Sequence, residues 1–321
     1  MRKRSGFLGF LLGLGLLGVA GAAVSAWLSR FHHLFDLVAM FAGPALSAAV
    51  VGLVLATILR RWRMAGGFVA AALALFVFLQ PQWSPRGAAP SPAAPPVTVY
   101  FANVWAQNED NAALARSIAA ADADVVALVE ITDHHAGAMS EILKGYPYRT
   151  STSPARRFRG GPRVVVASRY PLGPSDTGLR DGLAVGEVTV SGPSGPFRLM
   201  AVHLTRPWPL DGRVRAQRDQ TRRLARRIRA GEDERLLVVG DFNATASSAI
   251  LRRFANEAEV TPAPARTGTW FDPLPGVFRI AIDNAFVGRG LAVTDRRVGR
   301  SNGSDHLPII VTVKPARRTN G

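Results

Sequence analysis

Cysteine is absent from the 321 residues. That excludes disulfides, thiolate metal ligands and a cysteine nucleophile. Lysine is scarce, so almost all the positive charge behind the formal net +16 is arginine. Arginine's planar fork of donors suits phosphate and carboxylate, which favours an anionic substrate or surface. A GC-rich genome writes the same composition, however, and charge alone does not choose. No internal repeat is legible, and Asp36 is the sole acidic residue of the first third. Apolar segments this free of charge read as an anchor rather than a transport path. The length suits one large domain with added elements, or two ordinary domains.

Three apolar stretches are present, at 6–27, 35–59 and 65–79. The first two are long enough to cross a hydrocarbon core, which takes about 20 helical residues. The third gains length if Gln80, Gln82 and Trp83 sit in the interface. A cleaved signal peptide is the rival reading of the first stretch, with Arg2, Lys3 and Arg4 before it and small Ala23 and Ser25 near its end. It leaves the next two stretches unexplained, so the expectation is a membrane anchor of three transmembrane helices over 1–79. Arg2, Lys3 and Arg4 precede the first helix, and Arg60, Arg61 and Arg63 separate the second and third. The remaining loop holds only Arg30. Basic loops face the cytoplasm, so the chain is expected to be multi-pass in the inner (cell) membrane with its remainder extracytoplasmic. His32 and His33 read as polar anchors at the interface. Residues 80–96 are proline-rich and read as an extended linker, leaving a soluble domain at 97–321.

Within that domain the patterns predict strands at 97–102, 125–129, 163–168, 184–190, 197–203, 236–239, 279–287 and 308–313. Helices are expected at 110–121 and 213–230. The mixture is an α/β pattern. The arginines of the second helix read as a solvated face, with Val214, Leu224 and Ile228 toward the core.

Polar residues stand where apolar strands end. Asn103 follows the first strand, Glu130 the second, His203 closes another, and Asp241 and Asn243 follow Leu236-Leu237-Val238-Val239-Gly240. Asp283 follows Ile280-Ala281-Ile282, and Ser304-Asp305-His306 precedes the last strand. Strand-end loops carry function because a rigid scaffold positions them. If these ends converge, Glu130, Asp241, Asp283 and Asp305 repel one another unless a cation sits among them. Oxygen ligands without thiolate point to Mg²⁺ or Mn²⁺.

The set Asn103, Val129-Glu130, His203-Leu204, Gly240-Asp241-Phe242-Asn243, Ile282-Asp283 and Ser304-Asp305-His306-Leu307-Pro308 resembles the endonuclease/exonuclease/phosphatase superfamily. Exonuclease III-like endonucleases, deoxyribonucleases, sphingomyelinases and inositol polyphosphate phosphatases belong to it. The resemblance spans 97–313 and, behind an anchor, is similar to membrane-bound bacterial members. It implies two mixed β-sheets packed as a sandwich flanked by helices. It also implies metal ligation by Glu130, with Asn103 and Asp305 close by. Asp241 would orient or deprotonate water and Asn243 would hold it or a phosphate oxygen. His306, oriented by Asp283, and His203 would contact phosphate oxygens. Asp241 and His306 both stand as candidates for the base. The expected activity is hydrolysis of a phosphodiester, in nucleic acid or a lipid head group, with no protein partner inferred. The alternative is a non-catalytic anchored module that binds an anionic partner.

One departure stands out. Many relatives carry Asn or Asp two residues after the first Asn, where this chain has Trp105, and Gln107 or Asn108 would have to substitute. Trp270 is a candidate stacking residue or a core one, and Arg163, Arg206 and Arg279 are candidates to reach phosphate. The segment 149–161 carries no legible substrate-recognition motif.

Overall fold

The computed structural model describes residues 2–150, 163–180, 183–207, 212–231 and 234–317. Among these, helix α1 (Arg2–Leu28) and the last helix of the first third are long and apolar enough to cross a membrane. The stretch expected as one helix over 35–59 is instead broken into α2 (His33–Ala39) and α3 (Ala42–Ile58), bent by 56°. Pro44 supplies a physical reason: it has no N–H, and its ring would strike the carbonyl of Met40 if the helix ran through. Two spanning-length helices result, or three spans if the bent pair counts as one. Helix α4 (Trp62–Trp83) continues past the expected end at residue 79 and includes Pro81.

Small residues let the helices close on one another. Ala23, Ala26, Ala49, Ala56 and Ala71 are buried between them. At Gly52 a Cβ would lie 2.4 Å from the Phe68 ring. The proline-rich segment is docked along the end of the last strand: Ser91 N–H donates to Pro315 O at 2.8 Å and Arg317 N–H to Ala89 O at 2.7 Å.

The remainder is an α/β sandwich. Strand β1 (Val97–Asn103), helix α5 (Asn111–Ala121) and β2 (Val125–Ile131) make a parallel crossover. Asp110 caps α5, its Oδ1 accepting from Ala113 N–H at 2.7 Å. Short helices α6 (Asp133–Gly137) and α7 (Met139–Ile142) lead to β3 (Tyr148–Arg149) and β4 (Arg163–Ser168). Strands β5 (Leu172–Arg180), β6 (Leu183–Gly192) and β7 (Gly195–His203) form an antiparallel meander. A second parallel crossover follows through α8 (Arg213–Ala230) to β8 (Leu236–Asp241). Helix α9 (Ala249–Ala258), β9 (Thr261–Pro262), a 3-10 turn at Gly276–Phe278, β10 (Asp283–Val287), β11 (Leu291–Val298) and β12 (Ile309–Pro315) complete the chain.

Two six-stranded mixed sheets result, ordered β11-β12-β1-β2-β4-β3 and β5-β6-β7-β8-β10-β9. Val99, Phe101, Ala127 and Val129 meet Leu199, Ala201, Leu237 and Val239 between them. Continuous apolar runs such as 125–129 are buried on both faces because helices cover the outer sides. Tyr100, Leu114 and Ile118 pack on one outer side, and Phe242, Phe254 and Phe286 on the other.

The strand expected from 279 begins only at Asp283, because the turn at Gly276–Phe278 occupies the chain just before it. Strands β5 and β11 and helix α9 escape the pattern reading. Gly173 and Pro174 interrupt β5, and β11 is an edge strand carrying Asp295, Arg296 and Arg297.

Candidate active site

The two parallel crossovers deliver polar side chains to one end of the sandwich. Strand β1 ends on Asn103 and β2 presents Glu130 next to its end, while β7 ends on His203 and β8 on Asp241, which are register partners. Asn103 Nδ2 donates to Glu130 Oε1 at 2.8 Å and to Asp241 Oδ2 at 3.0 Å, tying the two sheets together. Its Oδ1 accepts from Trp105 N–H at 2.9 Å.

Glu130 sits where the β2–β4 register shifts and has φ 62°. A side chain held in the left-handed region costs about 1–3 kcal/mol, and the bulge re-aims the carboxylate into the cleft. The Asp241 motif depends on Gly240, where a Cβ would lie 2.5 Å from Val202 O. Asp241 Oδ1 accepts from Asn243 N–H at 2.8 Å and Oδ2 from Asn243 Nδ2 at 3.2 Å. Asp283 opens β10 opposite Asp241. Its Oδ2 accepts from Thr269 Oγ1 at 2.5 Å and from His306 Nδ1 at 2.9 Å.

His306 Nε2 then lies 3.9 Å from Asp241 Oδ2 and 3.9 Å from Asp305 Oδ1. His203 Nε2 is 3.4 Å from Glu130 Oε1 and 3.6 Å from Asp241 Oδ2. Asn103, Glu130, His203, Asp241, Asn243, Asp305 and His306 line one cleft of about 460 Å³, and Asp283 stands behind His306. All eight expected residues are brought to this one place.

Burial opposes charge on His306, but the carboxylates of Asp283 and Asp241 outweigh it and raise the imidazolium to about 10. Burial pushes the Asp241 carboxyl up, partly countered by His306 and reinforced by Asp283.

Glu130, His203 and Asp241 form one group able to hold a cation, and Asp241, Asp283 and His306 a second. Asp305, expected beside Glu130, is in neither group. Its Oδ2 accepts from Trp270 Nε1 at 3.0 Å, while its buried Oδ1 has no hydrogen-bond partner. A donor set of carboxylate and imidazole, with a lone buried carboxylate oxygen and no thiolate, fits a hard divalent ion.

Residues 101–306 match the Endonuclease/Exonuclease/phosphatase family. The chain belongs to that family. Its members are metal-dependent hydrolases of phosphate esters, which makes this protein a hydrolase by family. No curated protein matches the chain. Solved structures resemble it in fold. The endonuclease/exonuclease/phosphatase protein of Beutenbergia cavernae DSM 12333 is 20% identical, over 69% of this chain and 72% of that one, with TM-score 0.55. Sphingomyelinase C from Streptomyces griseocarneus is 17% identical over 70% and 100%, with TM-score 0.53. TDP2 of D. rerio, solved with a single-strand DNA product, is 18% identical over 68% and 99%, with TM-score 0.54.

Around this family site the secondary expectations divide. Trp105 and Gln107 line the cleft. Asn108 does not: its Nδ2 donates to Asn302 O at 3.1 Å and its Oδ1 accepts from Asp110 N–H at 3.0 Å. Trp270 lines the cleft, with the Arg206 guanidinium 5.3 Å from its ring centre. Arg163 pairs with Asp133 and Arg279 with Asp272, both away from the cleft. The motif-poor segment 149–161 lies, from residue 151 on, outside the described residues.

Four supporting residues escaped the sequence reading. Thr269 and Arg296 hold Asp283: the half-buried Arg296 donates through Nη2 to Asp283 O at 3.0 Å. Burial lowers this guanidinium to about 10 against the pull of Asp283. Ser304 Oγ donates to Asn103 O at 2.8 Å and accepts from His306 N–H at 3.1 Å. Gln217 Nε2 donates to Phe242 O and Asn243 O, each at 3.0 Å. Ser304 lies in the motif itself and was within reach. Arg296 and Gln217 gave no signal, since each sits among surface arginines.

Proposed function

We propose that this protein is a Mg²⁺- or Mn²⁺-dependent phosphodiesterase, tethered to the membrane with its catalytic domain outside the cytoplasm. The observation that carries the reading is the Asn103 amide joining Glu130 to Asp241 beside the His306–Asp283 pair. Its substrate class is a phosphodiester of nucleic acid or of a lipid head group.

Glu130, with Asn103 and Asp305 nearby, would hold the ion, which would supply Lewis-acid polarisation of a phosphoryl oxygen. Asp241, fixed by Asn103 and Asn243, orients the attacking water and accepts its proton. Its ion pair with Asp283 keeps His306 a cation whose Nε2 donates to a phosphate oxygen. His203 donates to a second one, and together they stabilise the charge that grows in the pentacovalent transition state.

The tether rests on α1, the bent α2–α3 pair and α4 as three spans. Arginines at residues 2, 4, 60, 61 and 63 mark the cytoplasmic side. Contacts to the catalytic domain come from the opposite end of the bundle. Asp36 accepts from Ala249 and Ile250 N–H at 2.6 and 3.1 Å, and Gln82 Nε2 donates to Ala265 O at 3.0 Å.

The test is hydrolysis of bis-p-nitrophenyl phosphate and single-stranded DNA by the full chain, with Mg²⁺ and with chelator. Metal-dependent cleavage that disappears in Glu130→Ala is expected. Absence of cleavage under Mg²⁺ and Mn²⁺ would favour the non-catalytic binding module.

A further inference from the structure

Among the described residues beyond 83, few large apolar side chains are exposed. They are Trp105, Tyr148, Phe271, Leu274 and Val277, at 39%, 42%, 40%, 42% and 64%. Three of the five share the loop 271–278, where Pro273 and Pro275 are exposed as well. The one charge in the loop is turned inward. Asp272 pairs with Arg279 at 3.3 Å and accepts from Ser301 Oγ at 2.6 Å. What remains outward is an apolar tip with no free charge, which water does not favour.

This tip lies against the membrane helices. Ser47 Oγ of α3 donates to Val277 O at 2.6 Å, and Gly276 and Val277 share a crevice with Pro44, Leu79 and Trp83. Ser47 is five residues along α3 from Ala42, about 7.5 Å down the axis from the helix's outer start. Trp83 closes α4 at the same end, and tryptophan marks the membrane–water interface. An apolar surface at that depth is buried in the headgroup and upper acyl region. The stem of the loop belongs to the cleft: Trp270 lines it and binds Asp305.

We propose that loop 271–278 is immersed in the outer leaflet of the bilayer its own helices span, and that the cleft takes a phosphoester carried on a lipid of that leaflet. The inference rests on the tethered-phosphodiesterase reading above and chooses lipid over nucleic acid. Immersion sets the mouth of the cleft at headgroup height, where lipid phosphate is present at high local concentration. A polymer in solution gains nothing from this placement.

The experiment uses the full chain in phosphatidylglycerol–phosphatidylethanolamine nanodiscs. Because the chain has no cysteine, Val277→Cys gives one site for an environment-sensitive fluorophore, and Tyr148→Cys gives an exposed control. Nitroxide-bearing lipid is expected to quench the label at 277 at least threefold more than the label at 148. Equal quenching overturns the immersion, whether or not the protein is active. In parallel, Leu274→Asp/Val277→Asp, which leaves every cleft residue in place, is expected to lose at least tenfold in hydrolysis of disc lipid. Its hydrolysis of bis-p-nitrophenyl phosphate should stay within twofold. Cleavage of single-stranded DNA without hydrolysis of disc lipid overturns the substrate assignment. Failure to cleave even bis-p-nitrophenyl phosphate removes the phosphodiesterase reading, while the quenching still decides where the loop lies.

Discussion

The crossovers β1–α5–β2 and β7–α8–β8 use one topological device, yet they supply carboxylates of opposite character. Glu130, from the first, keeps 19% of its side chain exposed and reaches the cleft through a bulge and a left-handed backbone. Asp241, from the second, is 2% exposed and accepts hydrogen bonds from Asn103 and from both nitrogens of Asn243. A half-open carboxylate suits a hydrated ion, and a buried, fully oriented one suits fixing a water. The helices differ likewise. Helix α5 has a single arginine, whereas α8 carries eight, among them Arg227 paired to Glu187 at 2.5 Å and Asp176 at 2.6 Å. The second unit also packs with α9, whose first N–H groups are capped by Asp36 of the N-terminal helical bundle. The lesson is that matched strand ends place groups, while their local burial assigns the work.

That contrast breaks most sharply at the carboxylates themselves. Glu130→Gln and Asp241→Asn are each expected to lower hydrolysis of bis-p-nitrophenyl phosphate by about 10³-fold. Excess Mg²⁺ should recover part of the loss only in Glu130→Gln, because only that side chain is assigned to the ion; kcat against metal concentration checks this. His306→Gln and His203→Asn should each cost about 10²–10³-fold in kcat, as lost stabilisation of the transition-state charge. Arg296→Met and Thr269→Val, which remove hydrogen bonds to Asp283, should cost about 10–100-fold and leave metal affinity unchanged, measured by isothermal titration.

Smaller effects test the scaffold of the second unit. Gly240→Ala should destabilise the domain by about 2–3 kcal/mol, since the backbone oxygen of Val202 cannot yield as a side chain would. Asp36→Ala should cost about 1 kcal/mol through the lost cap on α9. Thermal unfolding of the full chain in detergent reads both, and folded Asp36→Ala protein should retain kcat, whereas folded Gly240→Ala protein should lose part of it because the clash lies beside Asp241.

The sequence by itself determined the family, the sandwich and eight polar residues that the fold brings together, seven lining the cleft and Asp283 behind His306. Apolar runs ending on polar residues are local patterns, and in this family they are spaced in a fixed order. It also marked the apolar helices, though Pro44 broke one that hydropathy alone had joined. Only the tertiary structure decided which partners hold each group. Arg296 meets Asp283 from the edge strand β11, and Gln217 meets the Asn243 turn from α8, through contacts between residues distant in the chain. Asp36, an isolated acid in an apolar stretch, gained its meaning only when α9 came to rest against it. Periodicity records which face of an element is apolar. Which element that face will meet is fixed by packing.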